Sequence, residues 1–174
     1  MENKIFNSIG GNKFKVANEA TKKNKGLQPA TQSDLALRVK DVLQWLLPIE
    51  NFDEAKDSCN IKLFDVGKGR ESIVYFYNGV IIKITELRSR AEWEPYIKLK
   101  CFAKTELYDA KFGLVILQEE LTLDSSDFFD NDVETQIEDC LKQSKLPYDR
   151  REITDENVGF DDNNEWKLFD IPIH

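Results

Sequence analysis

One lysine stands inside an apolar run that is predicted to be a β-strand. The stretch "VIIKIT" places Lys83 between Ile82 and Ile84, so strand alternation puts the lysine on the face opposite both neighbours. A lysine in such a run needs an anionic partner or a path to water. This position would suit pairing with a carboxylate or a phosphate, and an ordinary exposed strand lysine is the other interpretation.

Two glycines precede this strand at a predicted turn. The stretch "VGKGRES" contains Gly67 and Gly69, and missing Cβ atoms let backbone N–H groups approach an anion. The same pattern also fits a plain hairpin turn. Combined with Lys83, it indicates a place where phosphate groups could bind.

Carboxylate and amide side chains that could complete such a site follow along the chain. Glu92 and Glu94 begin the helix predicted after the lysine strand, and either could reach Lys83 from the helix face. The two side chains point to different sides of that helix. Asn157 and Asp170 flank a predicted hairpin, which would bring both side chains to one edge. Oxygen donors of this kind bind Mg²⁺ in proteins.

Hydrophobic spacing predicts an α+β fold in which a small antiparallel sheet positions these residues. β-Branched and aromatic runs from residue 61 to residue 85 predict three strands, and Asn78–Gly79 is a strong hairpin signal. A further hairpin is predicted at Phe112–Gly113, before a buried strand at residues 114–117. Two short strands, Asn157–Phe160 and Glu165–Phe169, follow near the end.

Three segments have the spacing of amphipathic helices. The first, "SDLALRVKDVLQWLLP", begins at Ser33 and ends before Pro48, and its apolar stripe is interpreted as core packing, with docking on another protein as the alternative. The second, "AEWEPYIKLKCFAK", requires Pro95 in its first turn if it is not to kink. The third is "DVETQIEDCLKQSK", and its apolar face comprises Val133, Ile137 and Leu141.

Charge is distributed unevenly along the chain, which has a net charge of −8. Residues 1–30 carry six Lys against two Glu, whereas the remainder holds 18 basic and 30 acidic side chains. We predict a basic, solvated arm at residues 1–30, a helical extension at 31–60 and one domain at 61–174. A nucleic-acid partner is not expected, because phosphate neutralisation needs a basic face. The acid-rich segment 119–139 is either solvated or holds a basic partner or a metal.

The cysteines and the single histidine limit other kinds of chemistry. Cys59, Cys101 and Cys140 are widely spaced without a CxxC pair, which predicts reduced thiols in a cytoplasmic protein. Because His174 is the only histidine and the last residue, we expect neither a His-activated nucleophile nor a His-containing zinc site inside the fold. No apolar run approaches the roughly 18 residues of a membrane span and no signal-peptide core is visible, so no membrane partner is expected.

The order of these pieces resembles the protein-kinase-like fold over roughly residues 61–173. In particular, "GRESIVYFYNGVIIKIT" and "ITDENVGFDDNNEWKLFDIPI" are similar to the kinase-like domains of bacterial polyvalent proteins from mobile elements, whose catalytic loop ends in an Asp-x-x-x-x-Asn segment. The resemblance implies ATP and Mg²⁺ as cofactors.

Carried over residue by residue, the resemblance gives each candidate a role. Gly67 and Gly69 would form the phosphate loop, with Ser72 in place of a third glycine, and Lys83 would pair with the phosphates. Its helix partner would be Glu92 or Glu94. The magnesium ligands would be Asn157 and Asp170. The hinge that meets adenine through backbone groups would comprise Leu117, Gln118, Glu119 and Glu120.

Two departures from the kinase pattern affect the expected activity. Glu152 takes the place of the aspartate base and Arg150 that of the preceding histidine. The extra methylene moves the carboxylate by about 1.5 Å, and a misplacement of that order can cost about a hundredfold in rate. After Asp170, moreover, the sequence has no activation segment or helical lobe, which leads us to expect a truncated form of the fold.

We therefore expect an ATP–Mg²⁺-binding, kinase-like protein with weak, altered or absent phosphotransferase activity. Kinase-like relatives also transfer other groups from ATP, so an ATP-dependent group transferase is included in this expectation. The alternative is a non-catalytic regulatory module, such as an adaptor or inhibitor, that acts by binding a protein partner.

Overall fold

The computed structural model describes residues 34–69, 71–123 and 130–173 of the chain. The predicted basic arm at residues 1–30 lies outside the described residues, as do positions 124–129 of the acid-rich segment.

The described chain divides into two units. The sheet unit comprises residues 34–90 and 105–120, and the hairpin unit comprises residues 91–104 and 121–173. Residues 34–60, which the sequence analysis assigned to a helical extension, belong to the sheet unit.

Five antiparallel strands form the sheet in the order β1-β2-β3-β5-β4, which confirms the α+β class with a small antiparallel sheet. The predicted hairpin turn at Asn78–Gly79 is confirmed, because these residues have the positive φ values, 49° and 79°, that a type I′ turn requires. The strands are Phe64–Lys68 (β1), Ile73–Tyr77 (β2), Val80–Thr85 (β3), Thr105–Ala110 (β4) and Gly113–Glu119 (β5).

The first predicted helix is present but divided into α1, Asp34–Arg38, and α2, Lys40–Leu46. The break falls at Val39, whose φ of −121° and ψ of 26° are not helical. Its predicted apolar stripe is buried in the same cluster as Tyr75 and Ile82, so core packing is confirmed. The buried stripe residues are Leu35, Val39, Val42 and Leu46.

A further helix, α3 at Phe52–Lys62, was not predicted from the sequence. Its composition is mostly polar, and only Ala55 and Cys59 are buried. Asn51 caps its first turn by accepting a hydrogen bond from the Glu54 N–H at 2.8 Å. Because this helix runs to Lys62, the first strand begins later than the predicted run, which started at residue 61.

The hairpin unit contains helices α4, Arg90–Ile97, whose first residue belongs to the sheet unit, and α5, Asn131–Ser144. Pro95 lies inside α4 rather than in its first turn, and the helix ends two residues later. The predicted face of α5 is confirmed, since Val133, Ile137 and Leu141 are all buried.

The predicted terminal hairpin is also confirmed, with slightly shorter strands: β6 at Val158–Phe160 and β7 at Trp166–Leu168. A segment from an earlier part of the chain extends it on the β7 side. Leu168 donates its N–H to the Cys101 carbonyl and accepts from the Ala103 N–H, both at 2.7 Å. On the β6 side, Thr122 and Phe160 form an antiparallel bridge. Two chain segments therefore support the short hairpin.

Two cysteines are joined in the structure, so the prediction of reduced thiols is wrong for this pair. A disulfide links Cys101 to Cys140 on α5, across a sequence separation of 39 residues. The pairing depends on how α5 packs, which residue spacing alone did not indicate. Cys59 is a free, buried thiol, and burial raises its pKa to about 12.

Among the helices of the described ranges, none combines the length and the apolar character that crossing a bilayer would need.

Candidate functional site

Lys83 lies in the middle of β3 and is 5% exposed. Its neighbours across the sheet are Val74 on β2 and Ile116 on β5, and Val74 pairs in turn with Gly67 on β1. Directly paired residues present their side chains on the same face. Gly67, Val74 and Lys83 therefore form a row across the sheet in which the glycine contributes no side chain.

The face that carries Lys83 is mostly apolar, although alternation and strand pairing also place Thr85 and Gln118 on it. Ile82 and Ile84 belong to the helix-covered core, whereas Lys83 points to the opposite face, as alternation predicted. A separate apolar cluster lies beside the lysine on that second face. Its members are Val66, Val74, Phe76 and Ile81.

The two glycines of the β1–β2 turn differ in what their backbone does. Gly67 has a φ of 151°, which side chains rarely permit, and the strand register shifts beside it between Asp65 and Gly67. Gly69 donates its N–H to the Ser72 carbonyl at 2.8 Å, which closes the turn. The predicted use of this amide for anion binding is therefore not met in this conformation.

The far side of the same turn is fixed by contacts that sequence analysis missed. Arg88 forms a two-point ion pair with Glu71, with Nε to Oε2 at 2.5 Å and Nη2 to Oε1 at 3.0 Å. The Thr85 hydroxyl donates to the Glu71 carbonyl at 2.6 Å. These contacts tie the end of the turn to the end of β3. No local spacing signal links the partners, which lie 17 and 14 positions apart.

The predicted hinge lies mostly within the sheet. Leu117 is paired with both Ile82 and Glu106, and Gln118 is likewise paired on both sides. In a central strand these backbone groups belong to the ladders, so they are not available to a base. Gln118 is also buried, and its side chain donates to the Thr105 hydroxyl at 3.1 Å. The end of the strand remains as the candidate hinge, and it comprises Glu119 and Glu120.

The two candidate partners of the lysine both lie on α4 in the hairpin unit. Glu92 is exposed and Glu94 is half-buried. Lys83 belongs to the sheet unit.

The candidate base, Glu152, lies in a single 3₁₀ turn, Arg150–Glu152, which we call the base turn. Asp149 caps this turn by accepting from the Arg151 N–H at 2.9 Å. The Asp149 N–H donates to the Pro172 carbonyl at 2.7 Å, which places the turn next to the segment that follows Asp170.

Asn157 connects the turn to the hairpin. Its Nδ2 donates to the Glu152 carbonyl at 2.8 Å and lies 3.4 Å from the Glu152 Oε2. Its own carbonyl accepts from the Phe169 N–H at 3.2 Å, and Asp170 follows directly in the chain. The structure thus brings Glu152, Asn157 and Asp170 to one end of the hairpin. We call these three residues the carboxylate edge.

The donor set of the carboxylate edge suits a weakly held divalent cation rather than a closed protein site. Within the described residues no group of three His, Cys, Asp or Glu side chains is arranged to hold a metal. Mg²⁺, however, is commonly bound by one or two protein oxygens while water and phosphate oxygens complete its octahedron. Asp170 and the Asn157 Oδ1 are donors of that type, and the Asn157 Nδ2 is already committed to Glu152.

Helix α5 holds the 3₁₀ turn from one side. Arg150 Nη2 lies 2.9 Å from the Glu134 carboxylate and its Nε lies 3.7 Å from that of Glu138. The hydrogen bond and the charge of Glu134 raise the pKa of Arg150. Tyr148 also donates to Glu138, at 2.8 Å. Arg150, which stands where the kinase pattern has histidine, therefore contacts α5 through exposed ion pairs.

Neither a protein-family model nor a curated protein matches this sequence. The class that the fold defines is an α+β protein with a five-stranded antiparallel sheet.

Proposed function

We propose that this protein binds ATP with Mg²⁺ in the manner of a kinase-like protein and that its phosphotransferase activity is weak, altered or absent. The observation that carries the proposal is the Asn157 side chain, whose nitrogen is held by the Glu152 carbonyl at 2.8 Å. This bond commits the nitrogen and leaves the amide oxygen as the metal donor. The Phe169–Asn157 backbone bond brings Asp170 beside it.

The sheet unit supports the same proposal through the row of Gly67, Val74 and Lys83. A lysine ammonium is a suitable partner for phosphates. Gly67, at the other end of the row beyond Val74, adds no side chain to it. The adjoining apolar cluster, which includes Phe76 and Ile81, has the character of a surface for a base. The glycine turn, the strand lysine, the helix with its glutamates, the candidate hinge, the base turn and Asp170 follow one another in the order that the resemblance implies.

Glu152 is the reason for proposing reduced or altered chemistry. As a base it would orient an acceptor hydroxyl and take its proton. Its carboxylate oxygen lies 3.4 Å from the Asn157 nitrogen, a longer contact than the carbonyl makes. The extra methylene of Glu152 relative to aspartate displaces the carboxylate by about 1.5 Å, and a misplacement of that order disfavours efficient proton transfer.

The alternative proposal is a regulatory module of the same shape that binds a protein partner without nucleotide chemistry. The specific observation in its favour is the Gly69 N–H, which donates to Ser72 instead of remaining available to a phosphate. The pairing of Leu117 and Gln118 on both sides acts in the same direction, since it shortens the candidate hinge.

The test is a thermal unfolding midpoint with and without millimolar ATP and Mg²⁺. Ligand at about a hundred times its dissociation constant stabilises by about 2.7 kcal/mol, which shifts the midpoint by roughly 2–4 °C per kcal/mol in a domain of this size. The variants are Lys83→Met and Asp170→Asn, which keep side-chain volume. Lys111→Met and Asp162→Asn, at exposed turn positions, are the matched controls.

A shift in wild type and both controls that is lost in Lys83→Met and Asp170→Asn supports nucleotide binding at these residues. Absence of any shift in wild type would refute it and favour the regulatory module. A shift that survives in both site variants would place the nucleotide elsewhere. If binding is established, the rate at which the ATP γ-phosphate is transferred to water or to an added acceptor should be lower in Glu152→Gln than in wild type.

A further inference from the structure

The Cys101–Cys140 disulfide joins the two supports of the carboxylate edge. On one side, the Cys101 carbonyl accepts from the Leu168 N–H, and Leu168 ends β7 two residues before Asp170. On the other side, Cys140 lies on α5, two residues after Glu138. Glu138 accepts a hydrogen bond from Tyr148, which precedes the base turn, and pairs with Arg150 within it. One covalent bond therefore connects the segment that pairs with β7, which leads to Asp170, with helix α5, which contacts the base turn.

Without this bond the hairpin unit keeps a buried apolar core, which includes Ile137, Leu141 and Leu168, but the carboxylate edge itself is carried by short elements. β6 and β7 have three residues each, and a two-stranded hairpin alone is marginally stable in water. Arg150 is 65% exposed, so its ion pairs with α5 contribute little. Closing a loop across 39 residues should therefore add to the order of the carboxylate edge.

We infer that this disulfide is a reversible redox switch that orders the carboxylate edge when oxidised and loosens it when reduced. The inference does not depend on nucleotide binding, because it concerns how the edge is held and not what the edge binds.

The exposure of the two cysteine residues fits exchange with a small dithiol. Cys140 is half-buried, whereas Cys101 is 7% exposed. A dithiol reductant attacks the Cys140 Sγ through one thiolate, forms a mixed disulfide and releases Cys101 as a thiolate, which takes up a proton. Its second thiolate then displaces Cys140 as a thiol. The protein disulfide gains two electrons and two protons, and the dithiol becomes a cyclic disulfide. Cys59 is fully buried in the sheet unit and does not compete.

The experiment compares the whole wild-type chain after treatment with oxidised glutathione and after treatment with dithiothreitol. Thiol titration in denaturant should give one thiol for the oxidised protein, Cys59, and three for the reduced protein. Amide hydrogen exchange is then measured on peptides covering residues 149–170 and, as the internal reference, residues 73–85. We expect reduction to accelerate exchange in the first region by about thirtyfold or more, the low end of what a native disulfide contributes, with little change in the reference.

Two variants separate the switch from a general loss of fold. Cys140→Ser should exchange like the reduced wild type under either treatment, and Cys59→Ala should keep the full response. Three thiols after oxidation, or equal exchange in both redox states, would overturn the inference. Equal acceleration in both regions would overturn it too, because the disulfide would then stabilise the whole chain and not the carboxylate edge in particular.

Discussion

The sheet unit and the hairpin unit differ in what holds them together. Every residue of Val80–Thr85 is buried, whereas β7 has one buried residue among three. The sheet unit is stabilised by apolar side chains packed between helices and strands. The hairpin unit also buries apolar side chains, among them Ile137, Leu141 and Leu168, and its short strands are further held by a disulfide and by individual polar contacts. The carboxylate edge lies in the second unit. We therefore expect the geometry of this edge to change when a single polar contact or the disulfide is removed.

The largest effect is expected from Ile82→Ala in the core of the sheet unit. Ile82 is fully buried under the helices. Truncation should lower the free energy of unfolding by about 3–4 kcal/mol, through lost burial and a residual cavity. Urea denaturation measures the change. The matched control is Ile61→Ala, at a position that is 83% exposed, and it should change the free energy by less than about 0.5 kcal/mol. Equal effects at the two positions would contradict the described core.

Gly113→Ala should be the next most damaging change in the same unit. A Cβ at Gly113 would lie 2.3 Å from the Thr85 carbonyl oxygen, and the φ of 151° disfavours a side chain. We expect a loss of about 3 kcal/mol in urea denaturation. At Gly69 a Cβ would lie 3.4 Å from the Ser72 carbonyl, an ordinary contact, so Gly69→Ala should change stability by less than about 1 kcal/mol. A similar loss in both variants would be evidence against the β3–β5 geometry.

In the hairpin unit, Asn157→Ala tests a single polar contact. It removes the hydrogen bond to the Glu152 carbonyl and should cost about 1–2 kcal/mol, seen as faster amide exchange around the base turn. The control is Asn163→Ala in the β6–β7 turn, where the exposed side chain should leave exchange unchanged. Unchanged exchange in Asn157→Ala would mean that Asn157 does not order the carboxylate edge.

The smallest effect concerns two tyrosines, one in each unit, at alkaline pH. Burial raises the pKa of Tyr75 well above its ordinary value of 10.0, and the hydrogen bond to Glu138 raises that of Tyr148. Since both folded-state values exceed the unfolded one, the stabilisation is complete below about pH 10 and is lost as the pH rises further. Denaturation between about pH 9 and about pH 11 should therefore show a shallower decline in Tyr75→Phe than in wild type, and Tyr148→Phe should flatten the decline less. The same slope in Tyr75→Phe as in wild type would contradict the shift.

The sequence was sufficient for those parts of the fold that rest on periodicity. Alternation placed Lys83 opposite Ile82 and Ile84, and helical spacing identified the buried face of α5. The terminal hairpin was also predictable, because a polar turn separates two short apolar runs. Each of these patterns lies within one continuous segment, so the local sequence alone is enough to predict the element and its buried face.

Features that depend on two distant segments were not predictable. α3 was missed because only Ala55 and Cys59 face the core, too few to show a period. The partner of Cys101 became apparent only once α5 was placed. For the candidate site, the sequence identified Asn157 and Asp170 as residues that flank one hairpin. It did not predict that the Gly69 N–H donates to the Ser72 carbonyl, because this bond depends on the backbone conformation of the turn and not on residue type.

The strand order also has a consequence for the growing chain on the ribosome. β3 lies between β2 and β5, yet β5 begins at Gly113, after α4 and β4 have been synthesised. Until then one edge of "VIIKIT" has no partner, and an apolar strand with an open edge is a template for pairing with another chain. Lys83 is the only charge in that strand, and a charge within such a run opposes aggregation. The residue proposed to meet phosphates in the folded protein would thus first act as a gatekeeper during synthesis.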